Sequence, residues 1–193
     1  MTPAVLYLHG FLSSPESMKG RLLKKAAEEA GMLYAAPDLN VAPALAASYL
    51  TALAESFGPA SRLTVVGSSL GGFYAGWLAH KTGAKAVLIN PCLRPWAFLG
   101  EAEREETVYG TDRRVRVLPD YGKTFQSMAA AFSPVPERLD RTMTLLSTSD
   151  EVLDWTEAWQ ALRGSRMLLS ADDNHQMMRF EAYLPAVMSF VRA

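Results

Sequence analysis

The chain has 193 residues, 49% apolar and 20% charged, a composition that excludes a disordered chain and leaves room for one domain with a full core. The formal net charge is −1, so no basic excess invites nucleic acid, and there is no acidic tail. The single cysteine, Cys92, excludes an intrachain disulfide and fits a cytoplasmic protein.

At the N-terminus, Met1-Thr2-Pro3 carries no positive charge cluster, and the apolar run Ala4 to Leu8 is too short for a secretory signal. Ala4-Val5-Leu6-Tyr7-Leu8 instead reads as a buried parallel strand. His9-Gly10-Phe11 follows at its C-terminal end. Ser14 and Pro15 form a helix-start signal, N-cap then first helical position. Leu22, Leu23, Ala26, Ala27 and Ala30 keep helical spacing up to Gly31. Met32 to Ala36 is a second strand. Val41 to Ala54 is the longest weakly polar stretch, but Pro43, Ser48, Tyr49 and Thr51 make it a half-buried helix rather than a membrane span. Its expected inner stripe is Leu45, Tyr49, Leu50, Leu53 and Phe57.

Leu63 to Val66 is a third apolar strand, and it runs straight into Gly67-Ser68-Ser69-Leu70-Gly71. A helical segment, Phe73 to Ala79, follows. Strand, G-x-S-x-G, helix is the pattern of a nucleophile elbow. The turn is so sharp that side chains two positions before and after the serine would collide with their neighbours, hence Gly67 and Gly71. Leu70 opens the helix, so its N–H is an unpaired first-turn donor at the positive end of the helix dipole. Ala84 to Ile89 is a fourth strand, ending at Asn90-Pro91. The order βαβαβαβ predicts a parallel sheet with helices on both faces.

From about residue 91 to 141 no clean period survives. Charges cluster among Trp96, Phe98, Tyr109, Tyr121 and Phe125, and an irregular insertion of this length reads as a lid or pocket wall. Thr142 to Leu146 is a fifth strand, followed by Asp150 and then a helix from Asp154 to Leu162. Arg166 to Leu169 is a sixth strand leading to Asn174-His175, and a last helix runs from about Gln176 to Val191 with Pro185 inside it.

A serine hydroxyl needs a base beside it to act as a nucleophile. Of the three histidines, His80 reads as solvent-facing, His9 as structural, and His175 as the general base, because it lies at the same sheet edge as the elbow. Asp150 is the preferred carboxylate to orient His175, although capping a helix is an ordinary duty for such a residue. Asp154, Asp172 and Asp173 are its rivals. The N–H groups of Phe11 and Leu70 are the candidate oxyanion donors. The order Ser69, Asp150, His175 is that of an α/β-hydrolase.

With these residues in view, the chain resembles the small bacterial YqiA-type esterases, a compact branch of the α/β-hydrolases. The likeness rests on Leu6-Tyr7-Leu8-His9-Gly10-Phe11 with Ser13-Ser14-Pro15, on Val66 to Ala75, on Asn90-Pro91 with Arg94-Pro95, on Asp150 to Asp154, and on Asn174-His175. It implies hydrolysis of carboxylic esters, or of acyl thioesters, with Ser69, Asp150 and His175 as a triad. It also implies a hydrolase sheet lacking its first two antiparallel strands.

The expectation is therefore a single α/β-hydrolase domain over residues 1–193, with a mostly parallel sheet of about six strands. Its substrate would be a small-molecule acyl ester or thioester. No cofactor or metal is called for, since no Cys/His cluster has ligand spacing, and no nucleic-acid partner or membrane span is expected. A non-catalytic binding protein on the same fold is the reading from another class.

Overall fold

A computed structural model describes residues 2–100 and 102–193. Its centre is a sheet of six strands, all parallel: β1 (Ala4–Leu8), β2 (Leu33–Ala35), β3 (Leu63–Ser68), β4 (Lys85–Ile89), β7 (Thr142–Ser147) and β8 (Arg166–Ser170), in the spatial order β2-β1-β3-β4-β7-β8. β5 (Arg104–Thr107) and β6 (Arg114–Val117) form a separate antiparallel hairpin. The helices are α1 (Met18–Glu29), α2 (Pro43–Ser56), α3 (Leu70–Thr82), α4 (Tyr121–Ala131), α5 (Trp155–Leu162) and α6 (Phe180–Arg192).

The central strands β1, β3 and β4 are buried nearly throughout because both faces of the sheet are covered there, whereas the edge strands β2 and β8 are partly exposed. Side chains alternate between the faces with period two. Leu6, Leu8, Val65, Ala86 and Leu88 pack with α2, α3 and α5, whereas Val5, Tyr7, Val66, Val87, Ile89 and Leu145 pack with α1 and α6. β1 is followed in sequence by β2 on one side and is paired with β3 on the other, so the strand order reverses between β1 and β3. Loops diverge at such a point and leave a crevice beyond the carboxyl ends of the strands. The His9–Leu12 loop and Ser69 both lie there. Among the described residues no helix is long and apolar enough to cross a membrane.

Several elements differ from the sequence reading. α1 starts at Met18 and is capped by Ser17, not Ser14. The Ser17 hydroxyl accepts from the Gly20 N–H and is 2.9 Å from the Tyr7 hydroxyl, a bond from the sheet that Ser14 lacks. On α2 the buried stripe is Pro43, Ala46, Leu50 and Ala54, while Leu45 and Tyr49 are exposed. Both stripes have helical spacing, and the one with small side chains lets the helix approach the sheet. α6 begins at Phe180, because the Asp173 carboxylate accepts the Arg179 N–H and holds residues 174–179 as a loop. Pro185 sits inside α6 on its exposed side.

The insertion is ordered. After a short 3₁₀ turn (Pro95–Ala97) it forms the β5–β6 hairpin and the 11-residue α4. The hairpin strands are four residues each and dense in charge, so they carry little hydrophobic period. Phe125 of α4 packs edge-on against Phe73 of α3, 5.2 Å between ring centroids. His80 is not solvent-facing: its Nδ1 lies 3.1 Å from the Val135 carbonyl and its ring against Phe132, tying α3 to the end of the insertion.

Candidate active site

Ser69 sits between β3 and α3 with φ +55° and ψ −120°, a conformation that L residues avoid. The surroundings hold it there. Its N–H donates to the Ile89 carbonyl (3.0 Å), and its own carbonyl accepts from the N–H groups of Gly72 (2.8 Å) and Cys92 (3.0 Å). The flanking glycines are demanded by close approach. A Cβ at Gly67 would stand 2.1 Å from the Gly71 carbonyl oxygen, and one at Gly71 would stand 2.0 Å from that of Leu8.

The Ser69 Oγ is 2.9 Å from His175 Nε2. His175 Nδ1 is 2.8 Å and 3.0 Å from the two carboxylate oxygens of Asp150. Asp150 also accepts the backbone N–H groups of Val152 and Leu153, each at 2.8 Å. Burial works against its charge, but the hydrogen bond from His175 and these two amides outweigh it and hold its pKa below the ordinary aspartate value. An ionised carboxylate only accepts, so Nδ1 carries the proton and Nε2 is free to accept the serine O–H. The Asp150 side chain is 1% exposed and that of His175 14%, which leaves the imidazole reachable from the crevice.

The rival carboxylates are engaged elsewhere. Asp154 is the N-cap of α5, outside the helix rather than within it, accepting from Thr156. Asp172 faces Arg179, and Asp173 caps the loop before α6. Cys92 is buried, and burial pushes its thiol up to about 12, so it holds no thiolate at neutral pH.

Asn90 emerges as the hub behind this arrangement, a role that the sequence reading of Asn90-Pro91 as a strand end did not reach. It has φ +40°. Its Oδ1 accepts the Ser147 N–H at 2.8 Å, and its Nδ2 donates to the carbonyls of Asn174 (3.2 Å) and His175 (3.0 Å). One amide thus fastens the His175 loop to the ends of β4 and β7. An asparagine directly after a strand and before proline is the only trace of this in the sequence. Glu151 adds a carboxylate that accepts the His175 N–H at 2.9 Å. Lys19, from α1, donates to the Gln176 carbonyl at 2.5 Å.

His9 is 1% exposed. Its Nε2 accepts the Leu39 N–H at 2.9 Å and its Nδ1 lies 2.8 Å from the Gly10 carbonyl. A nitrogen that accepts carries no proton, so the ring is neutral and its approach to Asp38 is not an ion pair. Burial, the largest influence, also pushes its pKa down. His9 thereby fixes the Gly10–Leu12 loop. A Cβ at Gly10 would stand 3.3 Å from the Ser69 Cβ, so this backbone runs directly past the serine. Among the described residues the N–H groups of Phe11 and Leu70 have no hydrogen-bond partner. Both border a cavity of about 40 Å³ walled by Leu39, Tyr74, Leu99, Val117, Tyr121 and Phe125. Four of those six residues come from the insertion.

The fold and this serine turn define the class: an α/β-hydrolase fold. Est1E from Butyrivibrio proteoclasticus, solved with ferulic acid bound, matches at TM-score 0.74 and 14% identity over 97% of this chain and 87% of that one. The monoacylglycerol lipase of Paleococcus ferrophilus matches at 0.71 and 13%, over 98% and 95%. Alpha/beta hydrolase domain-containing protein 10 from mouse matches at 0.72 and 14%, over 100% and 90%. At such identities the likeness is one of fold. The model of the uncharacterised protein family UPF0227 matches residues 4–192, and the chain belongs to that family.

Proposed function

We propose that the protein is a serine hydrolase that cleaves carboxylic esters through an acyl-enzyme, acting as a single domain with residues 91–141 as pocket wall. The observation that carries this reading is the continuous contact from Ser69 Oγ through His175 to Asp150. Ser69 Oγ attacks the ester carbonyl as its proton passes to His175 Nε2. Asp150 stabilises the resulting imidazolium. The N–H groups of Phe11 and Leu70 receive the oxyanion, with no reorganisation needed at the moment of attack. The imidazolium then protonates the departing alkoxide, the alcohol leaves, and water deacylates Ser69 by the same route in reverse. Names such as esterase and lipase among proteins of the same fold support the class without specifying the substrate.

The test is hydrolysis of 4-nitrophenyl esters from acetate to palmitate by the wild type and by Ser69→Ala. The variant is expected to lose at least about three decades of kcat/KM. A variant as active as the wild type would sink the reading. An acyl-CoA substrate run in parallel tells thioester from ester cleavage. Failure of a fluorophosphonate to label the wild type would favour a binding protein.

A further inference from the structure

The cavity bordered by Gly10, Phe11 and Leu70 is lined mainly by apolar side chains, with Asn40, Tyr74, Arg116 and Tyr121 as its polar ones, and its position says which part of a substrate it takes. A leaving group must face His175 Nε2, from which it receives its proton. No residue of the His175 or Asp150 loops lines the cavity, whereas both candidate oxyanion donors do. The cavity is therefore on the acyl side of the ester. A volume of about 40 Å³ admits roughly three water-sized groups, which is a short arm.

Two of these are the phenols of Tyr74 and Tyr121. Tyr74 is 1% exposed and packs between Phe73 and Phe125. Its hydroxyl has no hydrogen-bond partner among the described residues, and neither has that of Tyr121. The two rings belong to different elements, α3 and the start of α4, yet line the same cavity, and Tyr121 adds to the burial that disfavours ionisation of Tyr74. A phenol on the wall of a cavity that makes no hydrogen bond within the protein is free to donate to a bound group. The other polar wall groups are committed. The Asn40 amide donates to Ser13 and Asp38, and the Arg116 guanidinium is paired with Glu103. The cavity thus offers two neutral phenols and no free charge.

We infer that the acyl group this site takes is short and carries a neutral oxygen, a hydroxyl or carbonyl a few bonds from the ester, which hydrogen-bonds to Tyr74 and Tyr121. This rests on the serine-hydrolase reading. A site built to hydrogen-bond a substrate oxygen rejects the analogue lacking it far more strongly than an apolar pocket rejects an extra hydroxyl.

The experiment compares 4-nitrophenyl 3-hydroxybutyrate with 4-nitrophenyl butyrate, with the hemisuccinate as an anionic control. The wild type, Tyr74→Phe and Tyr121→Phe are all assayed, and fluorophosphonate labelling of Ser69 and Tm are followed in each. The expected wild-type kcat/KM ratio, hydroxyacyl over alkyl, is about tenfold or more, with the hemisuccinate slowest. Each Phe variant should bring that ratio to within about threefold of one. Because the ratio is internal to each variant, partial loss of folded protein does not move it, and Tyr121, half-buried, supplies a second site. A wild type that prefers butyrate or the hemisuccinate, a ratio indifferent to both variants, or labelling without turnover of either ester would overturn the inference alone. If the wild type neither labels nor hydrolyses any ester, the hydrolase reading has failed and the inference falls with it.

Discussion

The strand ends that carry Ser69, Asp150 and His175 and the insertion that walls the neighbouring cavity are built on opposite terms. At the strand ends almost every polar group has a named, buried partner: Ser147 N–H on Asn90, the Asn90 amide on two carbonyls, Val152 and Leu153 N–H on Asp150. Beyond its first five residues, the described part of the insertion buries only Leu99, Val108, Val117, Phe125, Met128 and Pro136. Its hairpin wears its charges outside, as Arg114–Glu105 and Arg116–Glu103 pairs. Buried networks satisfied to this degree, with the Asn174 Oδ1 as the exception, are rigid and intolerant of change. Exposed ion pairs add little stability and tolerate change. A proposed reacting group that must be held to fractions of an ångström is therefore placed on the first kind of structure. The part that chooses a substrate is placed on the second.

Asn90 is where that contrast can be broken most severely. Asn90→Asp is nearly isosteric and tolerates positive φ, but it turns the amide donors into a carboxylate oxygen about 3 Å from two carbonyls. The His175 loop should then shift while the cavity wall stays. We expect kcat for a short ester to fall about 10- to 100-fold with KM changed less than about threefold, together with a lowered Tm. A loss seen in KM alone, or a variant with wild-type kcat, would show that Asn90 does not position His175.

Much of this division can be seen in the sequence, and its limits are physical. The sheet is legible because buried parallel strands must be apolar throughout, and Ser69, Asp150 and His175 stand out because each lies within five residues of a strand's C-terminal end. Distinguishing Asp150 from Asp154, Asp172 and Asp173 takes the loop geometry, since an aspartate in a strand-to-helix loop is an ordinary capping residue. The role of Asn90 leaves only a trace, an asparagine between a strand and a proline, because its partners lie 57 to 85 residues away. On α2 the expected Leu50, Leu53 and Phe57 do meet the core, whereas Leu45 and Tyr49 are exposed and Ala46 and Ala54 are buried in their stead, although leucine and tyrosine carry far more apolar area than alanine. How closely a helix packs depends on how small its inner residues are. The hairpin escaped because its stability lies in cross-strand pairing rather than in a buried period.

Beneath the His175 loop, Lys19 gives a milder test of the same network. Burial, only partly opposed by Asp173, lowers its pKa to about 8. In the unfolded chain the value is near 10.4. Between these two values the unfolded state binds more protons, so this group makes stability rise with pH across that window, by at most about 3 kcal/mol. Below pH 8 the charged form is present in both states and its burial is a constant cost. Urea unfolding of the wild type and of Lys19→Met from pH 7 to 10 should show the wild type gaining about 1 to 3 kcal/mol relative to the variant. Comparing the two cancels the tyrosines, whose burial acts in the opposite sense at higher pH. Parallel curves would mean that Lys19 does not titrate in this range.

The smallest expected effects belong to the hairpin, and they separate two arginines that are adjacent in sequence. Arg114 pairs with Glu105 within the hairpin, with side chains 70% and 55% exposed. Arg113 instead reaches Asp38, across to the segment that holds His9 and bounds the cavity through Leu39 and Asn40. Arg114→Ala should leave Tm within about 2 °C and the kinetics unchanged, because an exposed pair is screened and costs side-chain entropy to hold. Arg113→Ala releases the hairpin from the loop it covers, so KM for short esters should rise about threefold while kcat and Tm stay near wild type. The difference should shrink in 1 M salt, where the Arg113–Asp38 attraction is already weakened in the wild type. Equal behaviour of the two variants would mean that the hairpin is held over the cavity by Val117 and its apolar neighbours alone, and that the ion pairs are only surface.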